Sequence, residues 1–118
     1  MLNSLDDPIL SATFLNLVNK AYHPLDPEMS EIGRENMFMS PVLAAPLEQL
    51  AKFPPTTLVL AGIDPLRDDG LMMADCLVRA GVNVKVKEMA WMPHGFLNYE
   101  LPMGLGMPEA TKCIAQVT

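Results

Sequence analysis

A strand–helix–strand pattern between Thr57 and Tyr99 constrains the fold of this chain more than any other feature. Leu58–Ala61 is apolar throughout, which is typical of a strand covered on both faces. Residues 71–80 repeat apolar side chains at helical spacing, and residues 82–89 give a second strand in which valines first alternate with polar side chains. Two strands joined through a helix indicate a parallel pair with a crossover connection. The sequence therefore predicts an α/β fold with a mostly parallel sheet.

One side chain suited to catalysis follows each of these strands. Asp64 comes after the first strand, and His94 comes after the second, on a loop between Pro93 and Gly95. Catalytic groups of open parallel sheets gather at the carboxyl ends of the strands, so we expect the two side chains to meet. An acyl-transfer triad needs a nucleophile, a base that takes its proton and a carboxylate that orients the base. Taken singly, Asp64 could be a turn former and His94 a structural polar group, but the pair favours the roles of triad acid and base.

The rest of the chain is predicted to be mainly helical. Apolar residues at helical spacing predict a helix from Pro8 to Tyr22. The acidic, turn-rich stretch from Pro24 to Asn36 is predicted to be a surface loop. One or two helical turns are predicted between Pro46 and Lys52, and a last helix begins near Glu109.

The composition excludes several classes of protein. The 118 residues are 50% apolar, which suits one packed domain at most. The net charge of −6 and the scattered basic residues argue against binding to nucleic acid. No apolar run approaches the ~18 residues of a membrane span, and no signal-peptide pattern opens the chain, so a cytosolic protein is expected. Cys76 and Cys113 are too far apart to suggest a metal site or a disulfide framework, and no cofactor or metal is expected.

Six short motifs are spread over essentially the whole chain: Ser4–Leu10, Phe38–Pro41, Pro54-Pro55, Asp64–Gly70, Ala80–Val82 and Met92–Leu97. Together they resemble the hormone-sensitive lipase family of α/β-hydrolases. The resemblance implies that Asp64 is the triad acid and His94 the triad base. It also implies a partial α/β-hydrolase fold, namely the C-terminal strand–helix–strand–helix portion of that fold's mostly parallel sheet.

The chain departs from this family in one large respect. No G-x-S-x-G nucleophile motif and no His-Gly-Gly stretch for an oxyanion hole occurs in the sequence, and serine is present only at positions 4, 11, 30 and 40. In the family the nucleophile lies upstream of the region that this chain resembles. We therefore expect residues 1–118 to be a single, incomplete domain, the C-terminal fragment of a catalytic domain. Such a fragment is predicted to be inactive alone and to need the N-terminal part of the domain as its partner.

Two functions remain open at this point. The resemblance implies a serine carboxylic-ester hydrolase or lipase that acts in lipid breakdown on acylglycerols or sterol esters, with association with lipid droplets as a further expectation. The alternative is a non-catalytic, truncated product that binds lipid or a protein partner through its exposed sheet edge. Four methionines near the His94 loop either line an acyl-binding wall or fill the apolar core: Met89, Met92, Met103 and Met107.

Overall fold

The computed structural model describes residues 7–22, 27–99 and 106–117, with only the backbone described for residues 27–30 and 117. It contains six α-helices, two strands and one 3₁₀ helix within those ranges. In chain order they are α1 (Ala12–Tyr22), α2 (Pro27–Glu35), α3 (Pro41–Ala44), α4 (Leu47–Leu50), β1 (Thr56–Ala61), α5 (Arg67–Arg79), β2 (Val84–Met89), the 3₁₀ helix (Phe96–Tyr99) and α6 (Pro108–Val117). Within the described ranges, no helix has the length and apolar character needed to cross a membrane.

The two strands pair in parallel, as the sequence predicts. Their register runs without interruption from Thr56 opposite Val84 to Ala61 opposite Met89. Helix α5 connects them, so the β1–α5–β2 unit is the α/β element expected from residues 57–99. Because both strands end at the same edge, the loops that follow them leave the sheet side by side.

Backbone hydrogen bonds also join the segment after β1 to the end of β2 and the segment that follows it. The N–H of Gly62 donates to the carbonyl of Met89 at 2.9 Å, and the N–H of Ile63 donates to the carbonyl of Met92 at 3.2 Å. Glycine at position 62 suits this close approach, because a Cβ atom there would lie 3.0 Å from the Cα of Ala90 and 3.1 Å from the N of Trp91. The loops that carry Asp64 and His94 are therefore held together by main-chain hydrogen bonds.

One buried cluster joins the end of β1 to the segment after His94 and to α6. Its four core members are Ala61, Phe96, Ala110 and Cys113. Met89, Met92 and Met107 pack against this cluster, which favours their interpretation as core residues, while Met103 lies outside the described residues. Cys113 is fully buried as a free thiol.

A second buried cluster joins α5 to α4 and to the start of the second strand. Leu50, Leu77 and Val82 form its core, with Leu58 and Val84 of the strands packed against it. Helix α5 therefore covers the sheet through a stripe centred on Leu77, which is 1% exposed.

Three local predictions differ from the structure. Helix α5 begins at Arg67, four residues before the first apolar repeat, because its first turn is polar and the acidic Asp68 and Asp69 suit the positive end of the helix dipole. The stretch predicted as a loop between Pro24 and Asn36 contains α2, and this prediction is wrong. Proline at the first helical position and good helix formers after it support a helix even though the acidic residues suggest a loop. Helix α1 begins at Ala12, four residues after the predicted start at Pro8.

Candidate active site

Asp64 lies in the loop between β1 and α5, with its side chain 13% exposed. Its Oδ1 accepts a hydrogen bond from the backbone N–H of Leu66 at 2.8 Å. Pro65 disfavours the helical conformation at the residue before it, so Asp64 remains outside the helix that begins at Arg67. This turn holds one carboxylate oxygen in place and leaves Oδ2 available to a second donor.

That second donor is the imidazole of His94. Its Nδ1 lies 2.8 Å from Oδ2 of Asp64, although the residues are 30 positions apart in the chain. Because an ionised carboxylate can only accept a hydrogen bond, this contact favours the tautomer of His94 that carries its proton on Nδ1. The ring is 41% exposed, and Nε2 is the nitrogen that remains able to take up a proton. The expected meeting of the two side chains is therefore present.

The backbone around His94 has an unusual conformation on both sides. Trp91 has a φ of 65° and Gly95 a φ of 67°, both in the left-handed region. Glycine adopts this region freely, whereas a tryptophan there is uncommon and must be held by its surroundings. Phe96, the second residue after His94, is buried in the first apolar cluster and anchors the loop from that side.

A carboxylate that the sequence interpretation did not assign to the site also contacts this loop. Asp7 is 2% exposed, and its Oδ2 accepts a hydrogen bond from the backbone N–H of His94 at 2.5 Å. Its Oδ1 accepts from the N–H groups of Ile9 at 2.7 Å and Leu10 at 2.9 Å. No spacing pattern could have revealed the contact with His94, because 87 positions separate the two residues.

An ion pair joins the elements that flank the two loops. Arg67, at the start of α5, donates from Nε and Nη2 to the two carboxylate oxygens of Glu88 in β2, at 2.9 Å and 3.0 Å. These hydrogen bonds lower the pKa of the Glu88 carboxyl and raise the pKa of the Arg67 guanidinium. Arg67 also contacts Asp68 at 2.8 Å. The pair connects the start of α5 to β2.

Two of the serines, Ser11 and Ser40, have side chains that the structure describes. Ser11 Oγ accepts a hydrogen bond from the N–H of Phe14, and Ser40 precedes α3. Neither serine hydrogen-bonds to His94 in the part of the chain that the structure describes. That part also contains no group of three acidic, histidine or cysteine side chains that could hold a metal ion.

Comparison with known proteins agrees with this architecture. Residues 2–98 match the family model described as the alpha/beta hydrolase fold. Carboxyl esterase 2 of the fungus Tuber melanosporum superposes on 95% of this chain with a TM-score of 0.72 and 26% identity. The chain covers 34% of that structure.

Curated relatives are similar at the level of sequence. The hormone-sensitive lipase of Mus musculus is 44% identical over 64 residues, which are 54% of this chain and 8% of that protein. The esterase LipI of Mycobacterium tuberculosis is 40% identical over 60 residues, which are 51% of this chain and 19% of that protein. The chain thus spans at most about a fifth of either relative, while its resemblance to the hormone-sensitive lipase family is confirmed. The chain belongs to the α/β-hydrolase fold family, together with these esterases and lipases.

Proposed function

We propose that Asp64 and His94 are the triad acid and base of a serine carboxylic-ester hydrolase. Their nucleophile and oxyanion hole would come from polypeptide outside these 118 residues, so that the chain is the C-terminal part of a catalytic domain. The observation that carries this proposal is the 2.8 Å contact between His94 Nδ1 and Asp64 Oδ2 at the carboxyl ends of the two strands. Family membership supports it, because the relatives are named as esterases and lipases.

The chemistry follows from the two nitrogens of the ring. With the Nδ1 proton held by Asp64, Nε2 of His94 takes the proton of an upstream serine as its oxygen attacks the ester carbonyl. The carboxylate of Asp64 stabilises the imidazolium that forms. His94 then gives the same proton to the leaving alcohol as the carbon–oxygen bond breaks, and an acyl-enzyme remains. Water activated by the same base then hydrolyses the acyl-enzyme.

The proposed substrates are esters with apolar acyl groups, acylglycerols or sterol esters, and the role is lipid breakdown. The similarity to hormone-sensitive lipase supports this choice. Such substrates imply work in the cytosol at the surface of lipid droplets, and microscopy of the tagged full-length protein in lipid-loaded cells tests that location.

Replacement of the base tests the proposed reaction. In the full-length protein that carries this segment, His94→Ala should lower kcat for p-nitrophenyl butyrate by at least about 10⁴-fold, because no other group takes the serine proton. The isolated 118-residue chain should show no turnover. His23→Ala, which removes the other histidine of the sequence, is the matched control and should remain active. Full turnover by His94→Ala would remove His94 from the mechanism.

A second candidate is a non-catalytic binding module. Besides the sheet edge expected from the sequence, the observation that favours it is the exposed apolar side of α1, where Phe14 and Leu17 face solvent. On this alternative the isolated chain binds triolein emulsions or a protein partner through this surface, and Leu17→Asp abolishes the binding. Emulsion binding by the isolated chain, together with a full-length His94→Ala variant that keeps its activity, would favour the binding module.

A further inference from the structure

Within the described residues, the buried carboxylate of Asp7 accepts three hydrogen bonds, all from backbone N–H groups. Two of them, from Ile9 and Leu10, close a local turn just before α1. The third, from His94, is the shortest at 2.5 Å and crosses between distant parts of the chain. A carboxylate that is 2% exposed is expected to be fully hydrogen-bonded, and such charge-assisted bonds are the strong ones.

The His94 loop needs an anchor of this kind. The hydrogen bond between Asp64 and His94 is made by the imidazole ring, so it fixes the rotation of the ring. It does not fix the position of the His94 backbone. The loop has left-handed residues on both sides, at Trp91 and Gly95, and Trp91 is exposed and contributes little packing. A backbone of this type keeps its conformation only when several contacts determine it together.

We propose that Asp7 is a positioning residue for the catalytic base: its Oδ2 holds the main chain at His94 so that Nδ1 stays on Asp64 while Nε2 faces the nucleophile. This inference rests on the proposed function. His94 is thereby held by two carboxylates, Asp64 on the ring and Asp7 on the backbone. The two oxygens of Asp7 divide the work, because Oδ1 closes the turn before α1 and Oδ2 reaches the site.

This division allows a closely matched substitution. Asparagine keeps one acceptor oxygen and caps turns and helices about as well as aspartate, so Asp7→Asn should retain the bonds from Ile9 and Leu10. Its amide nitrogen would then face the N–H of His94, and two donors cannot bond to each other. Asp75→Asn is the control, since Asp75 is an exposed carboxylate whose recorded partner is Arg79 at 3.9 Å.

The kinetic test uses the full-length protein and p-nitrophenyl butyrate. Asp7→Asn should lower kcat roughly 10- to 100-fold with little change in KM, because a small displacement of the base slows proton transfer. Asp75→Asn should leave both unchanged. In the His94→Ala background, Asp7→Asn should cause no further fall, because it acts through His94. If Asp7→Asn does not fold, Asp7→Ser is tested in its place. The serine hydroxyl can still accept the hydrogen bonds of the turn, but the serine side chain is too short to reach the N–H of His94.

The outcomes separate this inference from the proposed function. An unchanged kcat in Asp7→Asn, when His94→Ala is inactive, would overturn the positioning role and leave the triad assignment standing. If Asp7→Asn lowers kcat by the same factor in the wild-type and in the His94→Ala background, Asp7 has a general structural role, and the inference is overturned. Turnover that survives in His94→Ala would reject the proposed function and this inference with it.

A spectroscopic readout is independent of turnover. In ¹⁵N-labelled protein, the backbone amide proton of His94 should resonate far downfield because it bonds to a carboxylate, and Asp7→Asn should move it upfield. Asp75→Asn should not move it. An amide resonance that is insensitive to Asp7→Asn would contradict the contact on which the proposal is built.

Discussion

At the scale of single residues, Asp64 combines two geometric tasks in one side chain. Oδ1 accepts the hydrogen bond from the N–H of Leu66 that closes the turn, and Oδ2 is hydrogen-bonded to Nδ1 of His94. The first contact orients the carboxylate, and the second sets the tautomer of the imidazole. The proposed base therefore depends on the orientation of the Asp64 carboxylate as well as on its negative charge.

This arrangement predicts the effect of Asp64→Asn. The amide can keep the hydrogen bond from Leu66, but its NH₂ group then faces Nδ1 and favours the wrong tautomer of His94. We expect kcat of the full-length protein to fall about 10⁴-fold with the fold retained. Asp69→Asn, at an exposed position in the first turn of α5, should have no such effect. Equal activity of the two variants in ester-hydrolysis assays would contradict the role of Asp64.

At the scale of elements, the site depends on the close approach of the two loops after β1 and β2. Gly62 donates to Met89, and the space beside it is filled by the backbone of Ala90 and Trp91. A Cβ atom at this position would press on the backbone of Ala90 and Trp91, in the loop that carries His94. Arg67 and Glu88 join the start of α5 to β2.

Gly62→Ala should therefore weaken both stability and activity. Its Cβ would meet backbone atoms at 3.0 Å, so main chain must move, and overpacking of this kind costs roughly 1–3 kcal/mol. Gly81→Ala is an informative comparison, because Gly81 has a φ of 83° but open space around it. Both variants should lower the free energy of unfolding in urea, whereas only Gly62→Ala should lower kcat. A Gly62→Ala enzyme with normal kcat would show that the loops tolerate separation.

The ion pair between α5 and β2 predicts a pH dependence of stability. Hydrogen bonds from Arg67 place the pKa of Glu88 below its ordinary value of 4.5, so the folded state favours the ionised carboxylate. The contribution is present above that ordinary value and is lost as the pH falls through the lowered pKa. The difference in free energy of unfolding between the wild type and Glu88→Gln should thus shrink on acidification.

Salt and a second ion pair provide the controls for this prediction. The side chains of Arg67 and Glu88 are 30% and 40% exposed, so high salt should also reduce the difference. Asp75→Asn removes a more exposed ion pair, since the side chains of Asp75 and Arg79 are 69% and 65% exposed. This substitution should change the pH dependence of the free energy of unfolding less than Glu88→Gln does. A difference for Glu88→Gln that stays constant from neutral to acidic pH would refute a lowered pKa.

At the scale of the whole molecule, the chain is more open than a complete domain of its length. Its radius of gyration is 16.2 Å, against about 13.5 Å expected for 118 residues. Many large apolar side chains are exposed in the described ranges: Phe14, Leu17, Tyr22, Phe38, Leu43 and Phe53. This shape fits the proposal that further polypeptide of the catalytic domain packs on these surfaces.

The β1–α5–β2 unit and the meeting of Asp64 with His94 could be predicted from the sequence alone. Apolar repeats identify strands and helix, and parallel strands bring their carboxyl ends to one edge, so Asp64 and His94 had to leave the sheet together. The prediction was wrong where an acidic, turn-rich composition suggested a loop, since this stretch contains the helix Pro27–Glu35.

Only the tertiary structure decided which residues far apart in the chain contact each other. The contact of Asp7 with His94 and the pairing of Arg67 with Glu88 join residues 87 and 21 positions apart, and no periodicity relates them. It also decided that the apolar side of α1 faces outward, although its spacing is that of a core helix. The physical reason is that hydrophobic spacing specifies local conformation and one face of an element, whereas long-range partners depend on how all the elements pack.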